Sequence, residues 1–331
     1  MKRIETLDSL RGIAAAAVVA DHLQTARGYS LDVAHWAVML FFVLSGFVLA
    51  MPWIRGKPIS STKFLVRRVF RLWPPVIAAV AVGAIVVLVI GRDPLAAATV
   101  ARCVTLIGPY GGCPELVPPL WSLAYEARIS LLFPLLAVAT IQAPRAMFLL
   151  ALLWGIPLDV AFWQYGLPGT VDALGWIASI VATLHYAALF VFGILLALYI
   201  DLARGKIRTA GTWVRGITTA AAVIFLASPF DMAEGAGAVL LIGLVIDARW
   251  ILWPPIRWLG RVSFSLYLVH WPVLTFAVWL CGTSLPALAL GAIASGAAAE
   301  IMYRLVEWPS MSWTKSGGPL SGKDKLQLRR G

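Results

Sequence analysis

The chain has 331 residues, of which 60% are hydrophobic and 13% charged, against roughly 25% charged in ordinary soluble domains. That composition excludes a soluble globular protein. The formal net charge of +11 would make a soluble protein a nucleic-acid candidate, but the placement of the cations, described below, points to membrane headgroups instead.

Apolar runs of membrane-spanning length recur from end to end. They predict an all-α polytopic integral membrane protein of about ten transmembrane helices: 8–27, 34–54, 72–91, 118–141, 146–165, 173–200, 214–229, 235–253, 262–281 and 285–307. Lys2 and Arg3 lead directly into the first run without a small-residue cleavage site, so an uncleaved first helix is expected rather than a signal peptide. Residues 1–311 read as a single transmembrane domain. Residues 312–331, rich in Gly, Ser, Lys and Arg, read as a basic, disordered tail.

The first run contains Arg11 and His22. Eleven helical steps return the chain to within about 20° of the same face and separate the two by about 16 Å. One face therefore carries a fixed cation near one end and an imidazole near the other. Ionisable groups in hydrocarbon are costly and are kept mainly where function needs them. Asp8 falls near the same face and can pair with Arg11, while Asp21 points about 100° away from His22. His35, beside Trp36, opens the second run.

Before the third run lies Lys63-Phe64-Leu65-Val66-Arg67-Arg68-Val69-Phe70-Arg71-Leu72-Trp73-Pro74-Pro75. Arg67 and Arg71 (i, i+4) and Arg68 and Arg71 (i, i+3) can share a helical face. The segment reads as an amphipathic surface helix stopped by the two prolines. It serves either as an anchor to lipid phosphates or as a guanidinium clamp for a phosphorylated ligand. Cys103 and Cys113 then bracket a Gly/Pro-rich loop. In an oxidising compartment they form a disulfide; two free thiols are the alternative. No spacing suggests a metal site, and none is expected.

The fourth run opens with Pro118-Pro119 and carries Trp121-Ser122-Leu123-Ala124-Tyr125-Glu126. Glu126 lies about two turns into this helix. A carboxylate beside an imidazole holds its tautomer; an ion pair of Glu126 with Arg128 or Arg11 is the structural alternative. His185, in the sixth run, reads as packing. Late in the chain, His270 follows Tyr267 by three residues and precedes Pro272 by two, which favours a structural role at a helix kink.

With the N-terminus inside, all but five of the 27 Lys and Arg fall on the inner side. Arg27, Arg92 and Arg102 lie outside, and Arg11 and Arg128 lie within spans. That bias follows the positive-inside rule and places both termini in the cytoplasm.

Taken in order, Leu7-Asp8-Ser9-Leu10-Arg11-Gly12 with His22, Phe41-Phe42-Val43-Leu44-Ser45-Gly46-Phe47, Arg67-Arg68-Val69-Phe70-Arg71, Trp121-Ser122-Leu123 with Glu126, Gly260 through Pro272, and Tyr303-Arg304-Leu305-Val306-Glu307-Trp308-Pro309 resemble the motifs of the membrane acyltransferase-3 family. The resemblance spans nearly the whole chain. It departs locally at Ala127 and Arg128, where the family more often has polar or acidic residues, and the chain also resembles the short, stand-alone members that O-acetylate exopolysaccharides.

The resemblance implies transfer of an acyl group, most commonly acetyl, from cytosolic acyl-CoA to a hydroxyl of an envelope or exported glycan or lipid-linked sugar, at a bacterial inner membrane. His22 would be general base or acyl acceptor, and Glu126 would orient it or touch the acceptor. Arg67, Arg68, Arg71 and Arg11 would hold acetyl-CoA. Asp8, His35, Trp121, Ser122, Tyr267 and His270 are the expected substrate contacts. Lipids, and no nucleic acid, are the other partners. A small-molecule or lipid acceptor stays open, as does a proton-coupled transporter built on the same intramembrane charges.

Overall fold

The computed structural model describes residues 5–57, 59–92, 97–106, 113, 116–165 and 175–315. Lys2, Arg3, most of the loop between Cys103 and Cys113 and the chain beyond Lys315 lie outside the described residues. Among those described there is no β-strand. The helices are α1 (Glu5–Thr25), α2 (Val33–Ile54), α3 (Ser61–Val89), α4 (Ala97–Thr105), α5 (Leu120–Gln142), α6 (Pro144–Tyr165), α7 (Gly175–Leu198), α8 (Ile200–Thr209), α9 (Thr212–Leu226), α10 (Asp231–Val245), α11 (Pro254–Cys281), α12 (Leu285–Met302) and α13 (Trp308–Lys315). A π-helical turn, Tyr303–Glu307, joins the last two.

Among the described residues seven helices are long and apolar enough to cross a membrane, where ten were expected. The three other expected spans correspond to α1, α9 and α10. Helix α1 is long enough but carries Glu5, Asp8, Arg11 and Asp21. Helices α9 and α10 have 15 residues each, about 22 Å of rise against roughly 30 Å of hydrocarbon. The stretch read as 235–253 ends early because the chain leaves the helix after Val245 and makes a short 3₁₀ turn at Trp250–Leu252. Asp231 and Glu234 occupy the first turn of α10 and shorten its apolar part.

Two further expectations are corrected. The arginine segment is not a separate surface helix stopped by Pro74-Pro75. It is the first third of a continuous 29-residue α3 that contains both prolines. Ser60 caps it by accepting from the Lys63 N–H, and two missing N–H donors are a small loss in a helix of that length, held by packing on its neighbours α5 and α11. The helical chain also continues through α13 to Lys315, past residue 311.

Close helix crossings at glycine set two of the helix pairs, and large side chains such as Phe42, Phe47, Phe133 and Phe190 fill the core between helices. Helix α1 lies on α11 with Gly12 against Gly260: a Cβ at Gly12 would stand 2.3 Å from the Gly260 nitrogen, and one at Gly260 2.4 Å from the Asp8 carbonyl. Helix α2 crosses α7 in the same way, with Gly46 on the Phe190 backbone and Gly193 on the Val43 carbonyl. Small residues let backbones approach where apolar burial gives no preference over lipid. Around this core the outward side chains are apolar, among them Leu135, Leu153, Ile177, Ile217, Ile293 and Leu305. The interior holds the polar groups, including Asp159, His185, Asp231, Glu234, His270 and Glu307. Exposing apolar and burying polar side chains is the reverse of a soluble domain and suits a lipid surround.

Candidate active site

The Gly12–Gly260 contact holds α1 and α11 together along their length, and this brings His22 to His270. Their rings lie almost parallel, 9° apart, with His22 Nδ1 2.8 Å from His270 Nε2. His270 Nδ1 is 2.9 Å from the Leu266 carbonyl. A carbonyl only accepts, so His270 carries its proton on Nδ1, and its Nε2 accepts from His22 Nδ1–H. His22 Nε2 is then the bare nitrogen, and it has no hydrogen-bond partner among the described residues. Trp271 meets the His22 ring edge-on at 5.0 Å. His22 lines a cavity of about 220 Å³ together with Asp21, Asp32, His35, Trp121 and Tyr267.

The expected carboxylate partner of His22 is therefore replaced. Glu126 sits against the Arg68 guanidinium, which also reaches Ser130 Oγ at 3.0 Å, and accepts from Ser45 Oγ at 3.3 Å. Arg128 turns to α7, bonding Thr183 Oγ1 at 3.2 Å and lying over Tyr125, so it does not pair with Glu126 either. Asp21, the acid next to His22 in sequence, accepts from the Leu31 N–H at 2.8 Å and closes the turn after α1. Arg11 contacts Asp8 at 3.3 Å, as the i, i+3 spacing allows.

The arginine triplet divides rather than presenting one face. Arg68 goes to Glu126 on α5. Arg71 goes to Glu307 in the π-helical turn at 2.5 Å and lies over the Phe264 ring. Glu307 is almost fully buried and also accepts from Ser265 at 2.6 Å. Arg67 is exposed. Ser122 and Tyr267 are tied to each other at 2.7 Å and share the Pro119 carbonyl, so they brace the cavity wall. Trp121 stacks near-parallel on His35 across 6.4 Å. Cys103 and Cys113 are joined in a disulfide, with Cα atoms 5.7 Å apart, and Cys281 is an exposed free thiol.

A second polar cluster was not assembled from sequence. His35 Nε2 is 2.6 Å from Asp231 Oδ1, and His185 Nε2 is 2.9 Å from Asp231 Oδ2. Asp159 accepts from the backbone N–H groups of Asp231 and Met232 at 2.9 and 2.8 Å, fastening the start of α10. Glu234 lies 3.7 Å from His35. Asp159, inside an apolar run of α6, was the available signal: a carboxylate in a span requires a partner.

Membrane-length helices, with an imidazole on a cavity near one end and arginine ion pairs near the other, define a multi-pass membrane protein. The profile described as an acyltransferase domain matches residues 4–299, and the chain belongs to the acyltransferase-3 family, a family of acyl-transferring enzymes. The chain is 25% identical to the peptidoglycan O-acetyltransferase OatA of Listeria monocytogenes over 93% of its own length. It spans little more than half, 56%, of that relative. No solved structure matches.

Proposed function

We propose that this protein transfers an acetyl group from cytosolic acetyl-CoA to a hydroxyl of an envelope glycan at the inner membrane of a bacterium. The observation that carries the reading is the bare Nε2 of His22. Its tautomer is set by His270, and its ring lines a cavity floored by Trp121. Near neutral pH an unprotonated imidazole nitrogen can take a hydroxyl proton or attack a thioester. Family membership and the similarity to a peptidoglycan O-acetyltransferase support a glycan acceptor.

In this reading the basic end of the bundle faces the cytosol and meets the donor. Arg67 is exposed for a CoA phosphate, and Arg71, 27% exposed at its ion pair, is the next guanidinium along the helix. Arg11 lies between that end and His22 on the face they share. His22 receives the thioester, and the acceptor hydroxyl enters from the opposite end past His35 and Trp121. Glu126 holds Arg68 in place, one step removed from the reacting atoms. Acetyl-CoA, the glycan acceptor and surrounding lipid are the partners, and no metal is required for the transfer.

Purified protein in detergent, given radiolabelled acetyl-CoA and muramidase-released peptidoglycan fragments, is expected to move label to the fragments. His22→Ala should lose that transfer by more than about 10³-fold, as expected for removal of a nucleophile or base, with little change in thermal stability. Equal transfer by parent and variant would refute the reading. Solute movement without consumption of acetyl-CoA would establish the transporter alternative.

A further inference from the structure

We propose that His35, held by Asp231, is a second catalytic base that serves the acceptor, so that the cavity works with two histidines. This rests on the acyltransferase reading above. His35 and His22 line the same cavity. His35 Nε2 lies 2.6 Å from Asp231 Oδ1 and donates there; in the neutral ring, the form that acts as a base, the lone pair is then on Nδ1. Nδ1 has no hydrogen-bond partner among the described residues, and the side chain is 36% exposed.

The carboxylate is rigidly placed. Its other oxygen accepts from His185, and Asp159 fastens the backbone beneath it. A buried carboxylate that fixes an imidazole tautomer and aims the other nitrogen at a reaction space is the logic of hydrolase triads. A cation held by His35, Asp231 and Glu234 is the competing use of these groups. It would require the His35 and Asp231 atoms to part from hydrogen-bond distance, while both Asp231 oxygens are already engaged by imidazoles.

Two bases divide the reaction. His22 Nε2 attacks the thioester carbonyl; the N–C bond forms, the C–S bond breaks, and CoA leaves as thiolate to take a proton from cytosolic water. The Nδ1 proton of the acetylated ring passes to His270 Nε2, so no cation stays on the acetylated ring. The acceptor hydroxyl then gives its proton to His35 Nδ1 as its oxygen attacks the acetyl carbon. The N–C bond breaks, His270 returns the proton to His22, and His35 releases its proton to solvent. At about 220 Å³ the cavity is smaller than usual ligand pockets, so it admits the reacting end of an acceptor whose remainder lies outside.

The test separates the two halves in purified full-length protein. Release of CoA from acetyl-CoA without acceptor is measured beside label transfer to peptidoglycan fragments. His35→Ala is expected to keep CoA release within about threefold of parent and to lose transfer at least 100-fold, with partial recovery in added imidazole. His35→Asn, which keeps a polar group beside Asp231, should behave alike and guards against misfolding of the first variant. Asp231→Asn should lower the maximal transfer rate at least tenfold with little change in the acceptor KM. Transfer by both His35 variants within threefold of parent would overturn the proposal. So would an effect on acceptor KM alone, or one equivalent of zinc or manganese in the purified protein that His35→Ala abolishes. A parent that transfers no label would overturn the function itself, which is a distinguishable outcome.

Discussion

The imidazole pair at His22 and His270 is the arrangement on which the chemistry turns. His270 is wholly buried, and its two nitrogens are both used. Had it been placed the other way round, His22 Nδ1 would have no acceptor and Nε2 would carry the proton. A leucine at 270 removes that acceptor while roughly keeping volume. Loss of a residue that only fixes a catalytic tautomer costs up to about 10⁴ in rate. His270→Leu should therefore lower transfer by about 10²-fold or more at unchanged donor KM. His270→Gln, whose amide oxygen can still accept from His22 Nδ1–H, should recover part of that loss. Steady-state rates of the two variants check the assignment, and equal loss in both would argue for packing alone.

At the scale of the element, helix α3 separates two uses of arginine. Removing one partner of a buried ion pair costs about 3–5 kcal/mol, because the remaining charge is stranded. Arg71→Ala leaves Glu307, 1% exposed at its side chain, with Ser265 as its one polar side-chain partner among the described residues, so a clear drop in thermal stability is expected. Arg67 is exposed, and Arg67→Ala should leave stability within about 0.5 kcal/mol, as for a surface substitution, while raising the KM for acetyl-CoA. Thermal melts beside donor titrations distinguish the two.

The α1–α11 crossing makes the matching prediction for glycine. A methyl group at Gly12 would meet the Gly260 backbone at 2.3 Å, which is backbone and cannot swing aside. Gly12→Ala should cost about 1–3 kcal/mol or more through overpacking and should separate His22 from His270, so activity falls with stability. Gly205, with open space at its Cβ position in α8, should tolerate or gain from Ala by roughly 1 kcal/mol. A melt comparison of the two variants is the check.

Across the whole molecule, most of the arginine ion pairs and the cavity lie toward opposite ends of the bundle. Glu5 meets Arg257, Asp247 meets Arg204 and Arg208, and Glu300 meets Arg261 and Arg304 at one end. The His22 cavity, the disulfide and Cys281 belong to the other. The proposed orientation puts Cys281, an exposed free thiol, outside the cell membrane. An impermeant maleimide should label it in intact cells, whereas a thiol introduced by Arg208→Cys should react only after permeabilisation. The opposite pattern would invert the topology and with it the donor and acceptor ends.

Composition and apolar run length by themselves determined that this is an all-helical membrane chain, because in hydrocarbon the backbone must bond within each segment and about 20 apolar residues are needed to cross. Ordered motifs likewise made the acyltransferase-3 family legible, and helical periodicity put Arg11 and His22 on one face. What periodicity could not supply was partnership between helices. That His22 meets His270, 248 residues away, that Glu126 meets Arg68 instead, and that Asp159, His185, Asp231 and His35 close into one network follow from which helices cross and at what register. Those contacts are long-range and depend on shape, so only the tertiary structure decided them.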